Sequence, residues 1–143
     1  MDLLAVTLMN GTLVTIVVVI HYECLNLLTN RLSLFNIRHR LKIVLGVLGC
    51  LIAHAIEVWV FAIAYYLMHH AADYGTLSGA FSGYLIDCVY YSFTTYTTLG
   101  FGDIVPSDNI RYLTGIESLT GLVLISWTAS FLYLEMQRYW NSQ

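Results

Sequence analysis

The sequence predicts an all-α membrane protein with three transmembrane helices and one shorter, re-entrant helix. The first observation is the composition, because 58% of the 143 residues are hydrophobic, 10% are charged and the mean hydropathy is +0.70. A soluble domain carries about 25% charged residues, so soluble enzymes are excluded. The formal net charge of −3 offers no basic face to a nucleic acid. The other two observations are three long charge-poor stretches and a shorter apolar segment between the last two.

Each of the three stretches is long enough to cross a bilayer. Between Asp2 and Glu23 lie 20 residues without Asp, Glu, Lys or Arg. At a rise of about 1.5 Å per residue they reach about 30 Å, the thickness of the hydrocarbon core. The other two stretches cover residues 43–68 and 112–136. No cation precedes the first stretch, which therefore differs from a signal peptide.

The cations indicate the orientation. Four of the six Lys and Arg residues lie in the connection between the first two stretches, namely Arg31, Arg38, Arg40 and Lys42. Connections rich in Lys and Arg are retained in the cytoplasm. We therefore expect a cytoplasmic loop over residues 31–42, an external N-terminus and a cytoplasmic C-terminus. Seven residues follow Met136, so no soluble domain is expected there, and such a compact chain fits the inner membrane of a bacterium.

The connection between the second and third stretches contains a short predicted helix. Residues 69–84 are rich in Gly and Ser, whereas residues 85–97 read LIDCVYYSFTTYT. A helix of that length spans about 20 Å, which is too short to cross a bilayer but long enough to reach its middle and return. Non-helical backbone at that depth is tolerated only where it is buried in protein or lines a water-filled path. We therefore expect the residues after Thr97 to line such a path.

A seven-residue motif, TTLGFGD, occupies residues 97–103. Glycines at alternate positions let the backbone adopt conformations that are closed to residues with a side chain. With a short helix before it and a full span on each side, this segment resembles the selectivity filter of potassium channels. The resemblance covers residues 43–137 and implies an outer helix (43–68), a turret (69–84), a pore helix (85–97), a filter (98–103) and an inner helix (112–136). Residues 1–42 fall outside it, as an extra N-terminal transmembrane helix and a basic cytoplasmic loop.

The resemblance implies passive permeation of K⁺ through a homotetramer in the lipid bilayer. Successive backbone carbonyls replace the water around the ion, and the implied K⁺ ligands are Thr98, Leu99, Gly100 and Phe101, with Gly102 completing the filter. Because each chain supplies one filter strand, four chains are needed to close a ring. The spans contain no catalytic constellation, so neither an enzymatic activity nor a cofactor is expected.

The resemblance also implies residues that support the filter, namely Tyr90, Tyr91, Thr94, Thr97 and Asp103. Leu99 replaces the usual valine and Phe101 the usual tyrosine. The ring hydroxyl that commonly braces the filter is therefore absent, and a looser filter is expected. Thr94 stands where some bacterial relatives carry a glutamate that pairs with the filter aspartate, so that pairing is not expected. A nonselective cation channel of the same fold stays open as an alternative, as does an accessory membrane subunit.

Ionisable residues lie inside two of the spans. Glu117, in the third span, is costly there unless it faces protein or water. We expect it to be a structural partner behind the filter, with a gating sensor as the alternative. His54 and Glu57 share one face of the second span, where they can bond each other or reach Glu117. The HxxE pair is also half of a metal site, but no second pair of this kind lies in another span, so no bound metal is expected.

Two glycines lie in the third span. Gly121 falls near the hinge glycine that the resemblance implies for the inner helix, and Gly115 is a second candidate. A close contact between helices explains a small residue equally well.

The first helix is expected to pack outside the second span, against lipid and away from the conduction path. Its candidates for a contact stripe are Thr7, Asn10, Gly11, Thr12 and Thr15. The helix either tunes gating by clamping the outer helix or only stabilises the protein. The gating stimulus is not predicted, because the first span carries no Lys or Arg that would sense voltage.

Overall fold

The computed structural model describes residues 3–34, 38–71 and 73–140. In chain order these form α1 (Leu3–Leu34), α2 (His39–His70), β1 (Leu77–Gly79), α3 (Leu85–Tyr96), β2 (Ile104–Pro106) and α4 (Asp108–Trp140). Three helices contain an apolar stretch long enough to cross a membrane, namely Leu3–Leu32, Arg40–His70 and Asp108–Gln137. The prediction of three membrane-length helices is confirmed. They run without interruption because the single proline of the chain, Pro106, lies in β2.

The connection between α1 and α2 is shorter than predicted. The basic segment 31–42 is expected to be a loop, but α1 extends to Leu34 and α2 begins at His39. Arg31 therefore lies in the last turn of α1, where the helix dipole favours a cation. Arg40 and Lys42 lie at the start of α2. The cations thus mark two helix ends, which a pattern of charge alone does not distinguish from a loop.

A two-stranded antiparallel sheet pairs a segment before α3 in the chain with a segment after it. The sequence does not predict this sheet. Leu77 pairs with Pro106, Ser78 with Val105 and Gly79 with Ile104. Gly79 has φ +92°, and a Cβ added there would overlap the carbonyl oxygen of Asp103. Glycine is therefore required at this position. Strands of three residues are too short for an alternating pattern to be recognised in the sequence.

Helix α3 packs on both α2 and α4. With 12 residues it is about 18 Å long, too short to cross a bilayer. Its buried residues are Cys88, Val89, Tyr91, Ser92, Thr94, Thr95 and Tyr96. The core around it contains fully buried large side chains from the neighbouring helices, among them Phe61, Tyr65, Leu113 and Leu124.

Helix α1 packs on α4 as well as on α2. The sequence predicts packing outside the second span only, and the structure adds the contact with α4. Its buried residues follow one another at intervals of four or seven, which is the spacing of a helix-packing seam; they are Val6, Asn10, Val17, His21, Leu25 and Leu32. Of the predicted contact stripe only Asn10 belongs to this seam. The hydroxyls of Thr7, Thr12 and Thr15 are exposed and donate to carbonyls of their own helix, and Gly11 faces open space.

Candidate functional site

The loop Thr98–Asp103 begins where α3 ends, and its first N–H groups turn back to the helix. The N–H of Thr98 donates to the carbonyl oxygen of Thr95 at 2.9 Å, and that of Gly100 donates to the carbonyl oxygen of Thr94 at 3.0 Å. These bonds satisfy carbonyl groups that a helix end otherwise leaves unpaired. The C-terminus of α3 therefore fixes the direction in which the loop leaves it.

The backbone of the loop has positive φ at every second residue. The angles are +59° at Thr98, +52° at Gly100 and +77° at Gly102. A Cβ added at either glycine meets nothing within 4 Å, so it is the backbone conformation that calls for glycine, and not a lack of space. Thr98 adopts the same region at a cost of about 1–2 kcal/mol.

The loop leaves a row of carbonyl oxygens without partners. Among the described residues, no hydrogen bond reaches the carbonyl oxygens of residues 98–101. The side chains of Leu99 and Phe101 are 59% and 64% exposed in the single chain. Since the N–H of Gly100 points to α3, the carbonyl of Leu99, which belongs to the same trans peptide, points away from it. Such oxygens can replace the hydration water of a cation.

Tyr90 braces the outer end of the loop. Its hydroxyl donates to Oδ2 of Asp103 at 2.7 Å, and its ring is stacked on that of Phe101 with the centroids 6.5 Å apart. The hydrogen bond to the carboxylate raises the pKa of the Tyr90 phenol. Phe101 has no ring hydroxyl, and the hydroxyl that braces the loop belongs to Tyr90 of α3, one of the predicted support residues. The looser filter stays a prediction.

Three other predicted support residues act within α3 or towards α4. The Tyr91 hydroxyl lies 2.8 Å from the Thr114 hydroxyl, which joins α3 to α4. The hydroxyls of Thr94 and Thr97 donate to carbonyls of their own helix. The contact of Thr94 with the loop is made by its backbone carbonyl, which accepts from Gly100.

The two glycines of α4 differ in their surroundings. A Cβ added at Gly121 would overlap the backbone carbonyl of Tyr96, the last residue of α3, whereas one at Gly115 would meet nothing within 4 Å. Gly121 therefore allows α4 to approach the end of α3 closely. This contact explains the glycine at 121 without a hinge.

Glu117 is fully buried in a group of hydroxyls, here called the Glu117 cluster (Glu117, Tyr65 and Ser92). The Tyr65 hydroxyl donates to Oε2 of Glu117 at 2.5 Å. The Ser92 hydroxyl lies 2.5 Å from Oε1 of Glu117 and 2.9 Å from the carbonyl oxygen of Val58. The cluster joins α2, α3 and α4 behind the loop, which supports a structural role for Glu117.

Glu57 lies in a second buried group, here called the Glu57 cluster (His21, His54, Glu57, Tyr96 and Thr128). The Nδ1 atom of His21 lies 2.8 Å from Oε1 of Glu57, and that of His54 lies 3.0 Å from Oε2. The Tyr96 hydroxyl donates to Oε2. The Thr128 hydroxyl lies 3.0 Å from Nε2 of His54 and 3.4 Å from Nε2 of His21. The cluster thus joins all four helices.

The predicted network of His54, Glu57 and Glu117 is therefore divided in two. His54 and Glu57 contact each other as expected, but no hydrogen bond among the described residues links Glu57 to Glu117. His21 is the principal residue that the sequence analysis missed. The signal that points to it is its place on the buried seam of α1, four residues from both Val17 and Leu25.

The comparison with known protein families agrees with this arrangement. A family model described as "Ion channel" matches residues 53–137, which is more than half of the chain. The matched part includes most of α2, all of α3 and the loop, and α4 to Gln137. No curated protein and no solved structure matches the chain. With two long helices around a short helix and a glycine-containing loop, and with this match, the chain belongs to the ion-channel family of the two-transmembrane pore type.

Proposed function

We propose that the chain forms a potassium-selective channel in which the loop Thr98–Asp103 is the selectivity filter. The observation that carries the proposal is the positive φ at residues 98, 100 and 102, combined with the N–H groups of Thr98 and Gly100 that donate back to α3. This backbone directs the Leu99 carbonyl away from α3, and the carbonyl oxygens of residues 98–101 accept no hydrogen bond among the described residues. Rows of such carbonyls are the ligands that replace the hydration shell of K⁺.

The short helix supports the proposal through its charge distribution and its length. The C-terminal end of a helix carries about half a negative charge, and the C-terminal end of α3 lies next to Thr98. A cation at the inner end of the loop would be stabilised there. Because α3 is too short to cross the bilayer, we infer that it enters the membrane and that the loop returns to the same side.

A homotetramer completes the proposed pore. Each chain supplies one loop, and a ring of carbonyls around K⁺ requires four. The exposure of Leu99 and Phe101 in the single chain is consistent with neighbouring chains covering the loop. The symmetry axis would run along the membrane normal, with the lipid bilayer around the outside.

The proposed orientation rests on the cations. Arg31, Arg38, Arg40 and Lys42 cluster where α1 ends and α2 begins, and such residues are retained in the cytoplasm. The N-terminus would then lie outside and the C-terminus inside. The loop would open outwards, and a bacterial inner membrane is the proposed location.

The test is the flux of K⁺ and Na⁺ through the purified chain in liposomes. The wild type is expected to conduct K⁺ in preference to Na⁺. Gly100→Ala places a side chain at φ +52° and is expected to abolish selective K⁺ flux while the tetramer still assembles. Gly11→Ala is the matched control, because that glycine lies in α1 and faces open space. Unchanged K⁺ flux in Gly100→Ala would contradict the filter assignment.

Two other results would overturn the proposal in favour of its alternatives. Equal permeability to K⁺ and Na⁺ would indicate a nonselective cation channel, in which Leu99 and Phe101 loosen the filter. A tetramer that carries no ion flux on its own would indicate an accessory membrane subunit. Reversal potentials in mixed K⁺ and Na⁺ separate the first of these from a selective pore.

A further inference from the structure

The Glu57 cluster brings three metal-ligating side chains together from two helices. One ligand atom from each of His21, His54 and Glu57 lies within 4.8 Å of the others. The side chains of His21 and Glu57 are fully buried, and that of His54 is 17% exposed. Neither α1 nor α2 could form this group alone, because His21 belongs to the first helix and the other two residues belong to the second.

A count of hydrogen atoms shows that the cluster lacks one. Each imidazole has its Nδ1 on a different oxygen of Glu57 and its Nε2 on the Thr128 hydroxyl, which makes four contacts. A neutral imidazole carries one N–H, and a threonine hydroxyl carries one hydrogen. The Tyr96 hydrogen is already donated to Glu57. Three hydrogens thus serve these four contacts and a fifth, between Nδ1 of His54 and the Tyr96 hydroxyl at 2.9 Å, so at least one pair of atoms shares no hydrogen unless the cluster holds a further cation.

Two imidazoles and one carboxylate are the ligands that a particular class of cation prefers. Zn²⁺ and similar divalent transition metals bind nitrogen and carboxylate oxygen together, whereas Mg²⁺ and Ca²⁺ prefer oxygen alone. Tetrahedral Zn²⁺ places its ligand atoms about 3.3 Å apart. The Nδ1-to-oxygen distances of 2.8 and 3.0 Å are a few tenths of an ångström shorter, and one ligand atom from each residue lies within 4.8 Å of the others, so the imidazoles must shift to share one ion.

The surroundings supply what such a site needs beyond its ligands. Metal-binding histidines usually donate their second N–H to a fixed acceptor, and Thr128 occupies that position for both imidazoles. His54 also borders a cleft between α2, α3 and α4, lined by apolar residues such as Leu51, Phe93 and Leu132. The His54 side chain is therefore the part of the three-ligand group that is not fully buried.

We propose that His21, His54 and Glu57 form a binding site for a divalent transition metal ion of the Zn²⁺ class. The bound ion would fasten α1 to α2. Through Tyr96, which donates to Glu57, the same ion would restrain the end of α3, two residues before the loop begins. The effect on conduction rests on the proposed channel function, but the binding itself does not.

The test measures metal bound to the purified full chain. The protein is stripped with a chelator, exposed to Zn²⁺ or Co²⁺, freed of excess metal by gel filtration and subjected to elemental analysis. We expect one ion per chain and, with Co²⁺, the visible absorption bands of a tetrahedral site. Substitution of an outer partner weakens metal binding by about 10- to 100-fold. The ligand variants His21→Asn and Glu57→Gln are expected to weaken it further, whereas His70→Asn is the matched control and should bind like the wild type.

A second variant keeps the proposal testable should the ligand variants fail to fold. Thr128→Val retains all three ligands and removes only their outer partner, so it should still bind one ion, about 10- to 100-fold more weakly. Zn²⁺ should also raise the melting temperature of the wild type. A wild type that binds no metal and does not shift would show that a proton alone completes the cluster. Binding that survives both ligand variants, or that is lost in His70→Asn, would also overturn the proposal.

The two proposals can fail separately. A chain that binds Zn²⁺ but carries no K⁺ flux would contradict the channel function alone. A chain that conducts K⁺ selectively but binds no metal would contradict the metal site alone.

Discussion

Glu57 and Glu117 are both fully buried carboxyl groups within membrane-length helices, yet their neighbours differ. Glu117 contacts two hydroxyls, and the single hydrogen of Ser92 is shared between Glu117 and a backbone carbonyl. Glu57 contacts two imidazoles and one hydroxyl. Each cluster is one hydrogen short of completing its contacts. Hydroxyls are poor ligands for transition metals, so a proton is the cation available to the Glu117 cluster, whereas imidazoles also admit a metal ion.

The two clusters also differ in the elements that they join. The Glu117 cluster connects α2, α3 and α4, all inside the region that matches the ion-channel family. The Glu57 cluster adds α1, which lies outside that region. Both clusters therefore join α2, α3 and α4, and only the Glu57 cluster also joins α1 to them.

The largest effect is expected from removing α1. Deleting residues 1–28 removes His21 and exposes the packing surfaces of α2 and α4, so the stability of the protein should fall clearly. The ratio of K⁺ to Na⁺ permeability should stay unchanged, because the loop and α3 are retained. Thermal melting and reversal potentials measure the two quantities. His21→Leu in the full chain separates loss of the imidazole from loss of the helix, and altered selectivity in the truncated chain would place α1 at the pore.

A direct comparison of the two acids should give unequal losses. Glu57→Leu removes the buried carboxylate that two imidazoles and the Tyr96 hydroxyl share, although His54 and Tyr96 keep their mutual contact of 2.9 Å; we expect a loss of roughly 3–5 kcal/mol in the free energy of unfolding. Glu117→Leu leaves one donor, that of Tyr65, because Ser92 keeps the Val58 carbonyl; the expected loss is about 1–3 kcal/mol. Denaturation of the purified tetramers measures both. Equal losses would show that the number of partners does not decide the effect.

A smaller effect is expected from Tyr96→Phe, which removes the only hydroxyl that joins α3 to Glu57 among the described residues. The carboxylate keeps its two imidazoles, so the loss should be about 0.5–1.5 kcal/mol. Tyr112→Phe makes the same chemical change at an exposed position of α4 and serves as the control. A loss as large as that of Glu57→Leu would mean that the Tyr96 hydroxyl accounts for most of the stability that the Glu57 cluster contributes.

The smallest effect is expected from two cysteine substitutions that test the orientation of the chain in the membrane. A cysteine at Ser78, in β1, should react with an impermeant thiol reagent applied outside whole cells, whereas one at the exposed position Leu34 should react only after the membrane is opened. The wild type, with Cys24, Cys50 and Cys88 in its helices, sets the background. The reverse pattern would invert the proposed orientation of the loop.

The sequence predicts the parts of this protein that are defined locally. Three charge-poor stretches predict the long helices, and TTLGFGD with its short helix predicts the loop. His21 is different. Its role depends on which residue of α2 lies opposite to it, and no local pattern in the sequence determines how α1 is aligned with α2. Tyr90 and Asp103 are both predicted to support the filter, but the hydrogen bond between them is visible only in the fold, because 13 residues separate them in the chain.

The short sheet has a consequence for how the loop is kept in shape. The carbonyl oxygens of Thr94 and Thr95 accept hydrogen bonds from N–H groups at the start of the loop. At its end the Asp103 carbonyl accepts from the N–H of Ala80, and the next residue, Ile104, pairs with Gly79. The chain between these two fixed points has only a few ways to rearrange. Ordering six residues of free chain costs roughly 6–12 kcal/mol of conformational entropy, and the attachments at both ends meet part of that cost during folding. We therefore expect the proposed filter to lose less conformational entropy when an ion binds than a free loop of the same length would.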